Sequence, residues 1–189
     1  PIFCRKVIIN KPALLKSEGP ILLACNHPNS FLDSVIIDTL FKQPVWSLAR
    51  GDVFKKPAII KTLSALKILP VYRTSEGVEN LSTNYQTFNQ CIALFRNNEI
   101  VTIFSEGKCI NEWHLRPLKK GTARLAIKAW EENIPLKVLP VGINYSSFTS
   151  FGKNVFINFG EKITNIHIDI SQSDGQRNIE FNNLLQSQL

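Results

Sequence analysis

The sequence lacks methionine altogether, and none of its four cysteines belongs to a C-x-x-C pair; they are Cys4, Cys25, Cys91 and Cys109. We therefore expect a fragment of a longer chain that works in a reduced, intracellular compartment. No N-terminal signal pattern is present, and no apolar run approaches the about 18 residues of a membrane span. The sequence thus predicts a chain that does not itself cross a bilayer.

Acidic residues are in deficit, since 22 Lys and Arg stand against 15 Asp and Glu, for a net charge of +7. Such a surplus predicts an anionic partner, which by charge alone is phosphate, nucleic acid or an acidic membrane surface. The chain has neither a basic face interleaved with aromatic residues nor a known nucleic-acid-binding motif. No nucleic-acid partner is therefore expected.

Short apolar runs alternate with longer segments of helical periodicity along the 189 residues. Continuous apolar runs are typical of strands covered on both faces. Six are predicted strands: Ile21–Cys25, Val45–Ala49, Ile68–Tyr72, Ile100–Phe104, Lys137–Ile143 and Val155–Phe159. Amphipathic periodicity predicts three helices: Val78–Asn97, Gly121–Asn133 and Asp174–Leu189. The alternation predicts one α/β domain over residues 1–189, with a largely parallel mixed sheet covered by helices on both faces.

The stretch CNHPNSFLDS, residues 25–34, places His27 at the end of a predicted strand and six positions before Asp33. Pro28 keeps His27 out of the helix, so that the chain can fold back and bring the two side chains together. A carboxylate bonded to one imidazole nitrogen fixes the tautomer and leaves the other nitrogen as a base. The alternative is a capping box, in which Ser30 begins the helix and Asp33 closes its first turn. The sequence leaves both interpretations open.

The rest of the sequence narrows the chemistry that a base at His27 would serve. No G-x-S-x-G pattern marks a nucleophilic serine. His114 and His167 are far from His27 in sequence and stand outside metal-ligand spacings, so no metal is expected. His27 is therefore predicted to take a proton directly from a substrate hydroxyl, as in acyl transfer without a covalent enzyme intermediate.

Three more stretches, at or within predicted strands, carry residues of chemical interest: FSEG at 104–107, LPVYR at 69–73 and LPVGINY at 139–145. Glu106 can accept a hydrogen bond from a hydroxyl, and Gly107 permits a tight turn with close backbone approach. Arg73 offers a planar fork of donors to a phosphate. Taken singly, each stretch has an ordinary explanation as a turn, a solvated arginine or a buried strand.

The order NHPNSFLD, LPVYR, FSEG, LPVGINY resembles the four-motif series of the glycerolipid acyltransferases, the family of glycerol-3-phosphate and lysophosphatidic acid acyltransferases. The resemblance covers about residues 20–160, most of the chain. It implies the α/β fold of that family. It also implies a fatty acyl thioester of CoA or acyl carrier protein as the donor, a lysophospholipid or glycerol 3-phosphate as the acceptor, and no cofactor or metal.

The resemblance also implies roles for individual residues. His27 would be the general base and Asp33 the acid that orients it. Arg73, Glu106 and Gly107 would bind the acceptor, and the fourth motif would bind the acyl donor or pack beneath the site. An oxyanion stabiliser is required as well; backbone N–H groups of residues 27–30 are one candidate, and the sequence does not identify it.

Two departures from the common family pattern are visible. Five residues, rather than four, separate His27 from Asp33, which leaves their contact less certain. The usual Phe-Pro-Glu-Gly has Ser105 in place of proline, and Lys108-Cys109 follows in place of the frequent Thr-Arg. On this basis the acceptor headgroup could differ from glycerol phosphate, and a non-phosphate lysolipid such as an aminolipid is an alternative. A catalytically inactive lipid-binding module is another.

Two segments concentrate positive charge. Between residues 53 and 75 there are five basic residues and no acid before Ser75, interleaved with aliphatic side chains such as Ile59 and Ile60. A helix of this kind can lie on an anionic membrane, although a solvated helix packed on the sheet explains it equally. Lys119 and Lys120 precede a predicted helix and would form an anion site at its N-terminus, or a merely solvated loop. With acyl transfer, these segments predict a peripheral protein at the cytoplasmic face of a membrane.

Overall fold

Seven strands form one sheet in the computed structural model, which describes residues 4–54, 56–72, 81–169 and 171–189. The strands are β1 (Cys4–Ile9), β2 (Ile21–Cys25), β3 (Val45–Arg50), β4 (Ile68–Val71), β5 (Ile100–Phe104), β6 (Lys137–Tyr145) and β7 (Lys153–Phe159). Their order across the sheet is β1-β7-β6-β2-β5-β3-β4. Neighbouring strands pair in parallel except β6 and β7, which are antiparallel. The predicted largely parallel mixed sheet is confirmed.

The centre of the sheet is β2, whose five residues are all buried. Its side chains alternate between two apolar cores, with Leu22 and Ala24 on one face and Ile21, Leu23 and Cys25 on the other. A strand with both faces covered needs an uninterrupted apolar sequence, and ILLAC supplies it. In register, Cys25 lies beside Phe104 of β5 and Val141 of β6. The residues that follow β2 and β5 therefore emerge at the same edge of the sheet.

Five helices accompany the strands: α1 (Phe31–Leu40), α2 (Pro57–Ala65), α3 (Leu81–Arg96), α4 (Lys120–Glu131) and α5 (Asp174–Gln188). Buried residues of α3, α4 and α5 belong to one core, and those of α1 belong to the other. Helices thus cover both faces, as predicted. None of the helices in the described part of the chain is long and apolar enough to span a membrane.

Strand β1 is absent from the sequence prediction. Arg5 and Lys6 interrupt its apolar pattern, and Val7 and Ile8 are exposed, so neither periodicity nor burial marks it. It is an edge strand that pairs in parallel with β7, a strand almost 150 positions later in the chain. A strand held by backbone pairing at an edge carries little of the hydrophobic signal that sequence patterns detect.

Most predicted boundaries agree with the structure to within one or two residues, and the ends that differ bear on the site. β6 continues through Tyr145 instead of ending at Ile143, and β4 ends at Val71 instead of Tyr72. α4 begins one residue early, at Lys120. The start of the helix predicted from Val78 lies outside the described residues, and the described part begins at Leu81.

Candidate active site

The carboxyl ends of three adjacent strands meet at one edge of the sheet, where open α/β folds place ligands. His27 lies two residues beyond β2, Glu106 lies two residues beyond β5, and Tyr145 is the last residue of β6. Because β2 is paired on one side with β5 and on the other with β6, residues about 80 and 120 positions apart become neighbours. Asp33 joins them from the first turn of α1.

His27 is held through both its backbone and its ring. Its backbone N–H donates to Oε1 of Glu106 at 2.9 Å. Its imidazole stacks on the ring of Phe104, with centroids 3.8 Å apart and planes 20° apart. The side chain of His27 keeps 18% of its surface exposed. The ring is thus fixed in orientation while part of it still faces solvent.

Asp33 is completely buried, and both of its carboxylate oxygens are used. Oδ2 lies 2.9 Å from Nδ1 of His27 and also accepts the backbone N–H of Asn29 at 2.8 Å. Oδ1 accepts the phenol O–H of Tyr145 at 2.6 Å. A buried carboxylate needs several donors to offset its lost hydration, and three converge here.

These contacts select the tautomer of His27. An ionised carboxylate only accepts hydrogen bonds, so the ring nitrogen that faces Asp33 must carry the proton. Nδ1 of the neutral imidazole is therefore the donor, and Nε2 holds the lone pair. A histidine in this form can accept a proton at Nε2 while Asp33 stabilises the imidazolium that results.

The structure decides between the two interpretations of Asp33. Ser30 is the N-cap of α1, yet its side chain makes no capping hydrogen bond, and its φ of 50° lies in the left-handed region. No capping box forms, because the carboxylate of Asp33 is turned away from Ser30 toward His27 and Asn29. The contact between His27 and Asp33 thus forms with five residues between them.

Burial, and next the charge of Asp33, raise the pKa of the Tyr145 phenol well above its usual range. The phenol therefore stays protonated and acts only as a donor to Asp33. Tyr145 is itself buried, and its backbone carbonyl accepts the indole N–H of Trp113 at 2.8 Å. A buried tyrosine hydroxyl needs a polar partner, and the carboxylate of Asp33 is that partner here.

Glu106 is 6% exposed and lies beside His27. Its Oε1 accepts the backbone N–H of His27, so this oxygen holds the loop that carries His27. The neighbouring N–H groups are also taken, since Asn29 donates to Asp33 and Ser30 donates to Sγ of Cys109 at 2.8 Å. Pro28 has no N–H. The N–H groups of His27, Asn29 and Ser30 thus all have partners within the protein, and none of them is unpaired for an oxyanion.

Gly107 has a φ of 66°, in the left-handed region, and its N–H donates to the carbonyl of Phe104 in a tight turn. A Cβ there would meet Cγ of Lys119 at 3.0 Å. The turn is tied to α4 as well, because the N–H of Lys119 donates to the carbonyl of Ser105 at 2.8 Å. Lys119 is thus brought against the FSEG turn. Lys120 begins α4 and is exposed, with no hydrogen bond or ion pair to the site in the described part of the chain.

Ser105 within the FSEG turn and Cys109 just after it, two of the departures from the family pattern, have local structural roles. The hydroxyl of Ser105 is buried and accepts the Thr122 hydroxyl at 2.9 Å. Sγ of Cys109 accepts the N–H of Ser30, and burial raises the pKa of the Cys109 thiol. The next residues continue this contact, with the N–H of Ile110 donating to the His27 carbonyl at 3.3 Å and the amide of Asn111 to that of Pro28 at 2.7 Å. Cys109 and the two residues after it therefore hold the loop of His27, and Ser105 joins the FSEG turn to α4.

The fourth motif reaches the same loop through Asn26, which sequence reasoning missed. The side chain of Asn26 pairs with the backbone of Ile143 in both directions, accepting its N–H at 2.7 Å and donating to its carbonyl at 3.0 Å. The side-chain amide of Asn26 thus makes the pair of hydrogen bonds that the backbone of a neighbouring strand would make with Ile143. It joins the end of β2 to β6 immediately before His27, so that the chain leaves the sheet at His27 in a defined direction.

Arg73 lies outside the described residues, as does Lys55 of the basic segment. Of the same segment, Ile59 and Ile60 on α2 are exposed. Lys67 is partly engaged, since its Nζ lies 5.4 Å from the centre of the Trp46 ring and 3.9 Å from Glu99. In the described part of the chain, no three side chains among His, Cys, Asp and Glu come together as a metal site.

A protein-family model described as Acyltransferase matches residues 6–144, about three quarters of the sequence. The chain belongs to the acyltransferase family. The four motif stretches from His27 to Tyr145 all lie within this span or end one residue beyond it. No curated protein matches the chain.

The crystal structure of the 1-acyl-sn-glycerophosphate (LPA) acyltransferase, PlsC, from Thermotoga maritima has a similar fold, with a TM-score of 0.64 at 15% sequence identity. The match covers 96% of this acyltransferase and 70% of that chain. At this identity the likeness bears on the fold. It supports the predicted resemblance in architecture and places almost every residue of the chain within it.

Proposed function

We propose that this acyltransferase moves a fatty acyl group from a thioester of CoA or acyl carrier protein to a hydroxyl of lysophosphatidic acid, another lysophospholipid or glycerol 3-phosphate. The observation that carries the proposal is the Asp33–His27 pair at the carboxyl edge of the sheet. Asp33 presents Nε2 of His27 as a base at the end of β2. Membership of the family supplies the acyl donor and the lipid acceptor as substrate classes.

In the proposed reaction, Nε2 of His27 takes the proton of the acceptor hydroxyl while its oxygen attacks the thioester carbonyl carbon. The C–S bond then breaks, and the leaving thiolate takes the proton back from His27. The products are an ester and a free thiol. Asp33 stabilises the imidazolium between the two proton transfers, and no covalent enzyme intermediate or metal ion takes part.

For the acceptor we propose a site lined by Gly107, Lys119 and Lys120, with Arg73 from the end of the LPVYR stretch. Lys119 lies against the FSEG turn, and cations beside the N-terminus of α4 favour an anionic group. We propose that Glu106 also contacts the acceptor, while its Oε1 supports the base through the His27 N–H. We further propose a peripheral protein at the cytoplasmic face of a membrane, as the exposed aliphatic side chains of α2 among lysines suggest.

The test is product formation followed by mass spectrometry. The protein would receive palmitoyl-CoA or palmitoyl carrier protein, with lysophosphatidic acid, other lysophospholipids, a lyso-aminolipid and glycerol 3-phosphate as separate acceptors. His27→Ala removes the base, and His114→Ala is the matched control because His114 is exposed. We expect an acylated product and free thiol with the native protein and with His114→Ala, and none with His27→Ala. Equal turnover by His27→Ala would contradict the mechanism.

The acceptor panel also tests the alternatives. Acylation of the lyso-aminolipid alone would show that the headgroup carries no phosphate. Binding of lipid vesicles with no product from any donor and acceptor pair would favour a lipid-binding module. The intact geometry of His27 and Asp33 speaks against the second outcome, since a module without catalysis has no need of a fixed imidazole tautomer.

A further inference from the structure

The apolar strand β6 ends on a buried tyrosine whose hydroxyl reaches the acid of the candidate dyad. Tyr145 is 2% exposed, and its phenol O–H donates to Oδ1 of Asp33 at 2.6 Å. Asp33 is 112 positions away in the sequence and belongs to α1, on another element. Tyr145 does not touch the reacting nitrogen of His27. An effect of its phenol on the protonation of His27 would therefore pass through Asp33.

A donor on one carboxylate oxygen changes what the other oxygen does. The phenol stabilises the negative charge of Asp33, so that less of this charge is left to hold a proton on His27. Without the phenol, Oδ1 would be buried with no donor from Tyr145, and the imidazolium of His27 would become the main compensation for the Asp33 charge. His27 would then bind its proton more tightly and would be a poorer base at neutral pH.

We propose that Tyr145 is a positioning residue that sets the proton affinity of His27 through its hydrogen bond to Asp33. The consequence for catalysis rests on the proposed function, in which Nε2 of His27 is the base. The effect on the titration of His27 does not rest on the proposed function. It needs only the observed contacts from Tyr145 to Asp33 and from Asp33 to Nδ1 of His27.

Other charged and titratable groups face the same chain of contacts. From β7, Nζ of Lys153 lies 5.6 Å from the centre of the Tyr145 ring and donates to the carbonyl of Phe148. Beyond β5, Glu106 accepts the His27 N–H. Three thiols are also near: Cys25 at the end of β2, Cys4 on β1 and Cys109 in the loop after the FSEG turn. Removing the phenol oxygen alone leaves all of these groups in place.

The decisive experiment follows the titration of the histidine rings by NMR, without substrate. The chain has three histidines, and the signal of His27 is assigned by its loss in His27→Ala. In Tyr145→Phe, which keeps the ring and the carbonyl bound to Trp113, we expect the midpoint of His27 to rise by about half to one pH unit, or about three- to tenfold in proton affinity. The exposed His114 and His167 report on the integrity of the fold and should not shift.

Two further variants sharpen the test. Tyr85→Phe, at an exposed tyrosine on α3, is the matched control and should leave the titration of His27 unchanged. Fluorotyrosine in a Tyr72→Phe, Tyr85→Phe background labels Tyr145 alone, since the chain has three tyrosines. Fluorination makes the phenol a stronger donor, so the midpoint of His27 should fall. A rise of the His27 midpoint in Tyr145→Phe together with a fall in the fluorotyrosine protein would establish the role of Tyr145.

An unchanged midpoint of His27 in both Tyr145→Phe and the fluorotyrosine protein would overturn the proposal, whatever the activity of the protein. The rate profile gives the second readout. In Tyr145→Phe we expect the acid limb of kcat/KM to move to higher pH by the same amount as the NMR midpoint, with most of the activity restored above it. A loss of kcat that is equal at every pH would show that Tyr145 acts only on the structure. A protein with no turnover at all but with shifted midpoints would contradict the proposed function and leave this inference standing.

Discussion

Glu106 accepts the backbone N–H of His27 through Oε1, over a distance of 2.9 Å. This contact joins the segment after β5 to the segment after β2, 79 positions apart in the sequence. The third motif therefore does more than face a substrate, because it holds the backbone of the residue that we propose as the base. The contact brings the first and third motifs, which are far apart in the sequence, together in one site.

The first prediction concerns this carboxylate. Glu106→Gln keeps an oxygen that can accept the His27 N–H, whereas Glu106→Ala leaves that N–H buried without a partner, at a cost of about 1–3 kcal/mol. We expect kcat to fall at least about tenfold in Glu106→Ala and much less in Glu106→Gln. Steady-state kinetics of both variants provide the measurement. If Glu106 only binds the acceptor, KM for the acceptor rises in both variants while kcat stays close to native.

The second prediction concerns Asp33. Asp33→Asn preserves the shape of the side chain, but an amide can donate to Nδ1 and so stabilises the opposite tautomer of His27. We expect kcat to fall by about two to four orders of magnitude while the helix content by circular dichroism is unchanged. The matched variant Ser30→Ala should retain activity, because the Ser30 side chain caps nothing in the structure. A variant Asp33→Asn with lowered Tm and native kcat would show that Asp33 serves only to hold the loop.

The third prediction separates backbone strain from crowding at the FSEG turn. Gly107 and Gly152 share a φ of 66°, but only Gly107 has a close neighbour, Cγ of Lys119 at 3.0 Å. An alanine at either position pays for the left-handed backbone with about 1–2 kcal/mol of stability, measurable by urea unfolding. Activity should fall only in Gly107→Ala, since this turn holds Glu106 against His27. Equal loss of activity in Gly152→Ala would mean that global stability, not the turn, limits turnover.

The fourth prediction concerns Asp38, whose pKa is raised to about 6, chiefly by burial, against a hydrogen bond from Ser47 that lowers it. Because the folded protein binds this proton more tightly than the unfolded chain, the stability contribution is largest below about pH 4 and is lost as the pH rises through about 6. Asp38→Asn removes the charged form. The free energy of unfolding of Asp38→Asn, relative to that of the native protein, should therefore rise between pH 4 and pH 7. The expected rise is about 2 kcal/mol, which allows for the partial exposure of Asp38 to solvent.

Urea unfolding of the native protein and of Asp38→Asn at the two pH values gives the measurement for this fourth prediction. The carboxamide can still accept the Ser47 hydroxyl, which approaches Oδ1 of Asp38 at 3.1 Å in the native protein. The variant thus isolates the charge. A stability difference that is the same at pH 4 and pH 7 would contradict the assigned sign.

The sequence supported the prediction of the buried strands and of the amphipathic helices because burial demands apolar residues and helices impose a period on them. β2 and β5 agree to the residue with the predicted Ile21–Cys25 and Ile100–Phe104. It failed at β1, where an exposed edge strand is held by pairing with β7. It also ended β6 two residues early, and although the LPVGINY stretch includes Tyr145, no local signal pointed to a contact between Tyr145 and Asp33.

What the sequence by itself determined was the set of chemical groups, namely His27, Asp33 and the FSEG turn, together with the strands whose ends carry them. Only the tertiary structure decided how those groups act. It decided between the two interpretations of Asp33, as a helix cap or as the partner of His27. It also gave the N–H groups of His27, Asn29 and Ser30 partners within the protein and brought the phenol of Tyr145 to Asp33. The physical reason is that the contacts of Glu106, Cys109 and Tyr145 join groups from different strands or loops, 79 to 112 positions apart in the sequence. Their meeting depends on sheet order and register, and neither has a local signal in the sequence.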